Sequence, residues 1–210
     1  MTNRKLVRGD FLERLKEIAR QRPAGILLRE KDLTPEEYRK LAREVQSICK
    51  KAGVPCILHS FTGVAAELEA DALHLPLPLL RKLPGEDRGR FRQLGASCHS
   101  VADAREAQSL GCTYITAGHI FDTDCKRGLP GRGLDFLREV CGAVTIPVYA
   151  IGGIEPKRMA EIFAAGAAGA CVMSGPMVCG DVGTYFADFA GAGKAAAAAV
   201  SGETEAPSEK

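Results

Sequence analysis

Short apolar runs alternate along this chain with longer polar stretches that have helical periodicity. The apolar runs are four or five residues long, which is typical of buried strands. Each is followed by a segment that can cover the strands as an amphipathic helix. Such alternation favours parallel strands joined by helices, because each helix returns the chain to the same end of the sheet. The sequence therefore predicts the α/β class.

Seven segments have the composition of such strands. They are residues 25–28, 54–58, 72–75, 94–97, 114–117, 147–150 and 170–173. The helix between the first two of them is expected over residues 34–52. Thr34, Pro35 and Glu37 form a capping-box start with proline at the first helical position, and Gly53 supplies the stop. Further helices are expected after Ser100, Leu134 and Pro156.

Strand–helix units in this number permit either an open doubly wound sheet or a closed eight-stranded barrel. An open sheet that binds a dinucleotide would carry a GxGxxG turn near its first strands, and that region has none. Glycine-rich turns instead follow the last two strands, at residues 151–154 and 174–175, where barrels commonly hold a phosphate group. The barrel is favoured.

The strand count for a barrel is one short. The chain opens almost directly into a helical segment, and residues 1–6 are too polar for a central strand. We hypothesise that the native start lies upstream and adds a short apolar strand. Residues 1–190 are expected to form one barrel domain, and the Ala-, Gly- and Ser-rich residues 191–210 a frayed helix end and a disordered tail.

Charge and composition exclude several classes of function. With 28 Lys+Arg against 26 Asp+Glu the formal net charge is +2, so no strong field attracts nucleic acid or a membrane surface. The apolar runs are far shorter than the roughly 20 residues of a membrane span. The N-terminus lacks a secretory signal, so a cytoplasmic location is expected. The eight cysteines never show CxxC spacing, and reduced thiols are expected.

His119 is the first candidate for chemistry. It follows the predicted strand 114–117 and so falls at the C-terminal rim, where barrel enzymes place their catalytic groups. An imidazole that titrates near neutrality suits acid/base catalysis. A histidine satisfied by a neighbouring carbonyl group is the alternative, and position alone leaves both open.

Cations and glycines at the same rim suit an anionic substrate. Arg29 and Lys31 follow the strand 25–28, although a surface salt bridge with Glu30 or Asp32 is the commoner role of such residues. Lys126 lies in a Gly- and Pro-containing loop, DCKRGLPGRG, that is typical of a lid. Glycine turns let an anion come close to their backbone N–H groups, because no side chain blocks the approach. Here these N–H groups are expected to hold a phosphate group. The glycine positions are Gly152, Gly153 and Gly175, beside Ser174.

The remaining histidines give little reason to expect a metal. His59 and His99 also follow strand ends, whereas His74 lies within a strand and is interpreted as structural. No carboxylate accompanies them at ligand spacing, so no metal site and no cofactor are expected.

These segments together resemble the thiamine phosphate synthase superfamily, and within it the thiazole tautomerase (TenI-like) branch. The resemblance covers residues 2–177 and lies in TNRKL, LLREKDL, ADALHLPLP, LGASCHS, YITAGHIFDTDCKRGLPGRGL, IPVYAIGGI and GAAGACVMSG. It implies a (β/α)8 TIM barrel whose first strand precedes the TNR-like segment. That agrees with the strand missing from the count.

Departures from the synthase pattern distinguish the two branches. The resemblance implies that a synthase holds Mg²⁺ with an Asp in an Asn-Asp pair and a second Asp, but here those places read His59-Ser60 and LPLP at 75–78. Without carboxylates a hard divalent cation lacks protein ligands. The synthase also typically has Gly-Pro-Ile-Phe where this chain has a histidine after Gly118. A histidine there is the mark of the tautomerase.

The resemblance therefore implies isomerisation of a carboxythiazoline phosphate to the aromatic carboxythiazole phosphate, with His119 as the catalytic residue. It implies phosphate binding by Gly152, Gly153, Met173 and Ser174, further substrate contacts from Arg29, Lys31, Ser97, Thr123 and Lys126, and assembly as a homo-oligomer. A second acid/base is unassigned, with His99 and Cys125 as candidates. Two alternatives stay open: a thiamine phosphate synthase, and a non-catalytic barrel that binds a thiazole or thiamine phosphate.

Overall fold

Every strand of the sheet runs parallel to its neighbours and takes its place in chain order. The structure is a computed structural model that describes residues 1–123 and 128–201. Each pairing joins consecutive strands, from β1 with β2 to β6 with β7. The strands are β1 (Ile26–Leu28), β2 (Cys56–His59), β3 (Ala72–Pro76), β4 (Gln93–Cys98), β5 (Tyr114–Gly118), β6 (Val148–Ile151) and β7 (Gly169–Cys171). All seven predicted strands are confirmed, and no boundary differs by more than two residues.

The expectation of a closed eight-stranded barrel is confirmed only in part. The sheet is a curled half-barrel, and within the described residues β1 and β7 are not paired with each other. Met1 and Thr2 lie between these two edges. The Met1 ammonium donates to the Val172 carbonyl (3.0 Å), and the Thr2 N–H donates to the Leu27 carbonyl (2.8 Å). Two residues cross the gap where a closed barrel would have a strand.

Helices follow the strands and cover one face of the sheet. They are α1 (Phe11–Arg20), α2 (Pro35–Ala52), α3 (Thr62–Glu67), α4 (Leu77–Lys82), α5 (Gly85–Arg88), α6 (Val101–Ser109), α7 (Gly133–Ala143), α8 (Met159–Ala164), α9 (Ser174–Val178) and α10 (Val182–Ser201), with 3-10 turns at Arg4–Leu6 and Pro156–Arg158. Helix α10 runs past residue 190, and residues 202–210 lie outside the described residues. The division of the chain at residue 190 therefore stays a prediction.

The predicted signals of α2 are confirmed at both ends. The Glu37 N–H donates to Thr34 Oγ1 (3.2 Å), and the Thr34 N–H donates to Glu37 Oε2 (2.8 Å), which completes the capping box. Gly53 ends the helix at φ 67°, a left-handed conformation that costs glycine little.

Strand residues alternate between the helix-covered face and the interior of the curl. Outward side chains such as Leu58, Leu73 and Ile115 are fully buried against the helices. Burial of each stabilises the fold by about 1.5–3 kcal/mol. The interior holds a small apolar layer of Leu27, Ile57 and Ala72 with Met1 packed against it. Polar side chains lie above that layer, toward the C-terminal ends of the strands.

A buried carboxylate fixes the start of the chain to the end of β1. Glu30 is 2% exposed and accepts hydrogen bonds from Thr2 Oγ1 (2.6 Å) and from the Arg4 N–H (3.0 Å). Arg4 also donates to Asp32 (2.7 Å). A buried charge is tolerated when it is hydrogen-bonded in this way. Glu30 and its partners therefore hold Met1 and Thr2 in the gap.

We expect Thr34→Ala to lower the free energy of unfolding by about 1 kcal/mol, because the N-cap hydroxyl of α2 is lost. Thr34→Ser keeps that hydroxyl and is the matched control. Urea unfolding followed by circular dichroism measures both. Equal stability of the Ala and Ser variants would contradict the role of the capping box.

Candidate active site

The C-terminal ends of the parallel strands meet along one margin of the sheet, called here the C-terminal edge. The site residues expected from the sequence and described by the structure lie at or just beyond this edge: Arg29, Lys31, Ser97, His119, Thr123, Gly152, Gly153, Met173 and Ser174. Lys126 and Cys125 lie outside the described residues, so their expected roles stay predictions.

His119 begins the segment after β5 and is half-buried. Its Nε2 is 3.2 Å from the Leu129 carbonyl oxygen. A carbonyl oxygen only accepts, so Nε2 carries the proton in the neutral ring and Nδ1 is left with a lone pair. The hydrogen bond to a carbonyl, considered above as an alternative to catalysis, thus leaves the other ring nitrogen able to take a proton.

The backbone around His119 is packed tightly against the end of β6. A Cβ added to Gly118 would lie 2.3 Å from the Ile151 carbonyl oxygen, and one added to Gly152 would lie 2.4 Å from the His119 Cβ. Such distances exclude any side chain at either glycine. The histidine and the glycine turn after β6 are therefore in direct contact.

His99 supports the same stretch of backbone. Its Nδ1 donates to the Gly118 carbonyl (2.8 Å), and its own N–H donates to Asp103 Oδ2 (2.8 Å). The sequence left His99 open as a second acid/base. The structure places its ring against the peptide that precedes His119.

The glycine turns at the ends of β6 and β7 present backbone N–H groups to the C-terminal edge. Gly152 and Gly153 have φ of 99° and 63°, in the left-handed region that favours glycine. Within the described residues no acceptor receives the N–H groups of Gly153 and Ser174. Met173 directly precedes Ser174, the first residue of α9. Unpaired N–H groups in a glycine turn are the features of an anion site.

The acidic residues near Arg29 and Lys31 are engaged by other cations. Arg4 binds Glu30 (3.1 Å), and both Arg4 and Lys5 bind Asp32 (2.7 and 2.9 Å). These cations hold the pKa of Asp32 below its usual range. Within the described residues, Arg29 therefore does not form the salt bridge with Glu30 or Asp32 that the sequence offered as its commoner role.

Ser97, expected from the sequence as a substrate contact, belongs to a polar network inside the curl whose other members sequence reasoning does not assign to the site. His74 Nε2 lies 2.9 Å from Ser97 Oγ, and its Nδ1 lies 3.0 Å from the Tyr114 hydroxyl. The His59 ring stacks 5.9 Å from that of His74, and Ser60 Oγ is 2.7 Å from His59 Nδ1. The available signal was the two-residue alternation along β3, which puts His74 on the interior face.

Both interior histidines are held neutral. Burial, followed by the electrostatic effects of His74, Lys31 and Arg29, lowers the pKa of His59 to about 3. Burial, with a smaller effect of the N-terminal ammonium, lowers the pKa of His74 to about 3. The cations at the end of β1 therefore lie close enough to His59 to act on its titration.

The residues at this edge do not fit a magnesium ion at the places where the resemblance would put one. His59 is 3% exposed, and its neighbour Ser60 hydrogen-bonds the ring. Mg²⁺ prefers oxygen ligands in octahedral geometry and is usually held by carboxylates. Within residues 1–123 and 128–201, no three His, Cys, Asp or Glu side chains converge as a metal site would require.

A cavity of about 430 Å³ lies near the opposite, N-terminal ends of the strands and beside the gap between β1 and β7. Its lining includes Met1, Ile57, Tyr149 and Thr116, whose buried hydroxyl has no hydrogen-bond partner among the described residues. None of the expected catalytic or phosphate-binding residues lines it. The cavity is therefore distinct from the expected catalytic and phosphate-binding residues, although Tyr114 of the interior network lines it.

Comparisons with known proteins identify the family. The model of the family described as thiamine monophosphate synthase matches residues 1–175. The chain belongs to the thiamine monophosphate synthase family. Among its relatives, a thiamine-phosphate synthase of Syntrophomonas wolfei is 32% identical over 87% of this chain and 88% of its own length. One of Moorella thermoacetica is 38% identical over 75% of this chain and 76% of its own length.

A solved structure supports the same assignment. The thiamine phosphate pyrophosphorylase of Pyrococcus furiosus superposes with a TM-score of 0.80 and 26% identity, covering 93% of this chain and 94% of that one. Family membership supports an enzyme of thiamine biosynthesis that acts on small phosphorylated substrates. The names of the relatives favour the synthase over the tautomerase expected from the sequence. In the part of the chain that the structure describes, no helix is long and apolar enough to cross a membrane.

We expect the free energy of unfolding to fall as the pH drops below 6.5. The unfolded chain gains protons on His59 and His74 near that pH, whereas the folded chain takes them up only near pH 3. Each of the two histidines should lower the free energy of unfolding by about 1.4 kcal/mol between pH 7.5 and pH 5.5. Urea unfolding at the two pH values measures the loss.

His74→Gln is the matched variant for this prediction, because it removes one of the two titrating rings. It should reduce the pH-dependent loss by about half. A loss as large as that of the wild type would show that His74 is not held neutral in the fold.

Proposed function

We propose that this enzyme of thiamine biosynthesis acts on a carboxythiazoline phosphate and isomerises it to the aromatic carboxythiazole phosphate. The substrate loses a proton from a ring carbon and gains one on its exocyclic carbon, so the double bond moves into the ring. Aromaticity supplies the driving force. The protein has to provide a group that takes and returns a proton near pH 7, together with anchors that hold the substrate.

One observation carries the proposal: His119 donates through Nε2 to the Leu129 carbonyl and keeps Nδ1 as an acceptor. In the proposed step Nδ1 takes the proton from the ring carbon of the substrate, and the His119 ring becomes an imidazolium. The Nε2–H bond to the carbonyl persists and stabilises that cation. The proton then returns to the exocyclic carbon. Acid/base catalysis of this kind contributes about 10²- to 10⁴-fold in rate.

Contact between His119 and the glycine turn supports one shared binding site. We assign the substrate phosphate to the N–H groups of Gly152, Gly153, Met173 and Ser174. The Cβ clash at Gly152 shows how close this turn lies to the histidine. A phosphate fixed there would bring the thiazoline ring beside the base. The carboxylate of the substrate is assigned to the cations Arg29, Lys31 and Lys126, with Ser97 and Thr123 as further contacts.

A second candidate function is the joining of a pyrimidine diphosphate to a thiazole phosphate to form thiamine phosphate. The names of the relatives favour it. The residues argue against it, because this reaction displaces diphosphate and the magnesium-holding carboxylates of the family pattern are replaced here by His59-Ser60 and an LPLP segment. Both candidates use the same phosphorylated thiazole class of substrate.

We expect His119→Ala to lower kcat for carboxythiazole phosphate formation by about 10²- to 10⁴-fold, because the proton acceptor is lost. NMR of the substrate and product measures the rate. His119→Gln is the matched control, since its amide can still donate to the Leu129 carbonyl but cannot take a proton. Activity retained by the Gln variant would give His119 a structural role only.

A second assay separates the two functions. We expect metal-free turnover of the carboxythiazoline phosphate in the presence of EDTA, with no change on addition of Mg²⁺. The same protein is then given Mg²⁺, the pyrimidine diphosphate and the thiazole phosphate. Formation of thiamine phosphate, without isomerisation in the first assay, would establish the synthase and refute the tautomerase.

A further inference from the structure

Three neighbouring strands build the interior network around His74. The register pairs His74 on β3 with Gly95 on β4, and Gly95 with Tyr114 on β5. A Cβ at Gly95 would lie 2.2 Å from Cζ of the Tyr114 ring. The tyrosine ring thus crosses β4 through the space that a side chain would fill. Only glycine at this position lets Tyr114 reach His74.

The ring of His74 is fully buried and has a polar partner on each nitrogen. Nδ1 faces the Tyr114 hydroxyl at 3.0 Å, and Nε2 faces Ser97 Oγ at 2.9 Å. A neutral imidazole has one N–H donor and one basic nitrogen. The two hydroxyl groups therefore compete for a single acceptor.

The phenol takes that acceptor. Tyrosine has an ordinary pKa near 10 and is far more acidic than an aliphatic alcohol, so its hydroxyl is the stronger donor. Neither hydroxyl has another acceptor within residues 1–123 and 128–201, so the stronger donor decides. Tyr114 accordingly donates to Nδ1, and Nε2–H donates to Ser97 Oγ. The Ser97 hydroxyl can then donate its own proton to a different acceptor.

Ser97 lies one residue before the C-terminal end of β4 and is half-buried. We propose that His74 and Tyr114 are positioning residues that set the Ser97 hydroxyl as a hydrogen-bond donor toward the substrate. The group that it meets must be an acceptor. Given the proposed function, on which this step rests, that acceptor is the carboxylate of the thiazole. The arrangement of Tyr114, His74 and Ser97, called here the relay, selects an anionic substituent of the substrate over a hydrogen-bond donor at this place.

The tautomer of His74 tests the relay without any assay of activity. In ¹⁵N-histidine-labelled protein we expect the His74 signals of the Nε2–H tautomer, assigned by their disappearance in His74→Gln. Tyr114→Phe should change the ¹⁵N shift of Nδ1, because the phenol hydrogen bond is lost. Tyr149→Phe, at a neighbouring tyrosine of the interior, should leave the shifts unchanged. An Nδ1–H tautomer in the wild type would overturn the proposal.

Affinity for the carboxythiazole phosphate, measured by calorimetry, tests the consequence. Loss of one hydrogen bond to a charged group predicts a Kd about tenfold higher for Ser97→Ala. Tyr114→Phe should raise the Kd several-fold, and Tyr149→Phe should leave it unchanged. The double variant Ser97→Ala with Tyr114→Phe should bind no more weakly than Ser97→Ala alone, because Tyr114 acts through the serine.

Independent, additive losses in the double variant would overturn the positioning role, since a general structural effect does not depend on Ser97. The outcomes also separate this inference from the proposed function. Binding without turnover would refute the tautomerase and leave the relay supported by the tautomer and by the non-additive losses. A wild-type protein that does not bind the carboxythiazole phosphate would refute the assignment of a carboxylate to Ser97.

Discussion

The pairing of β5 with β6 is the constraint on which the candidate site depends. It aligns Gly118 with Ile151, so the residues that follow each strand leave the sheet side by side. His119 then lies against Gly152, at a separation that admits no side chain on the glycine. The proposed base and the proposed anion-binding turn are thus held together by backbone hydrogen bonds of the sheet. Parallel strands make this placement possible, because their C-terminal ends all meet at the same edge.

Polar groups in the interior of the curl serve a different purpose from the apolar layer beneath them. Leu27, Ile57 and Ala72 fill space, whereas His74 has both nitrogens hydrogen-bonded and stays uncharged. A buried polar group without partners would be destabilising, and a fully partnered one also fixes the orientation of its neighbours. The network thereby connects the packing of three strands to the direction of one serine hydroxyl at the C-terminal edge.

Family membership and the individual residues at the C-terminal edge favour different reactions for this protein. The family model and the relatives place the protein in thiamine biosynthesis and favour the synthase reaction. The residues at the edge favour proton transfer, because a histidine follows Gly118 and the places expected to hold magnesium carry no carboxylate. One fold can host both reactions, since the chemistry depends on a few side chains at the strand ends and the fold depends on the core.

The sequence by itself determined the seven strands, helix α2 with both caps, and the edge at which the expected site residues lie, because hydrophobic periodicity and capping are local signals. The family also followed from it. Tertiary structure alone decided that Met1 and Thr2 cross the gap between β1 and β7, and that Arg4 rather than Arg29 binds Glu30. It alone joined His74 to Ser97 and Tyr114, residues 23 and 40 positions away along the chain. These contacts join residues that are far apart along the chain, so they form only when the strands and the N-terminus are assembled and no local pattern reveals them.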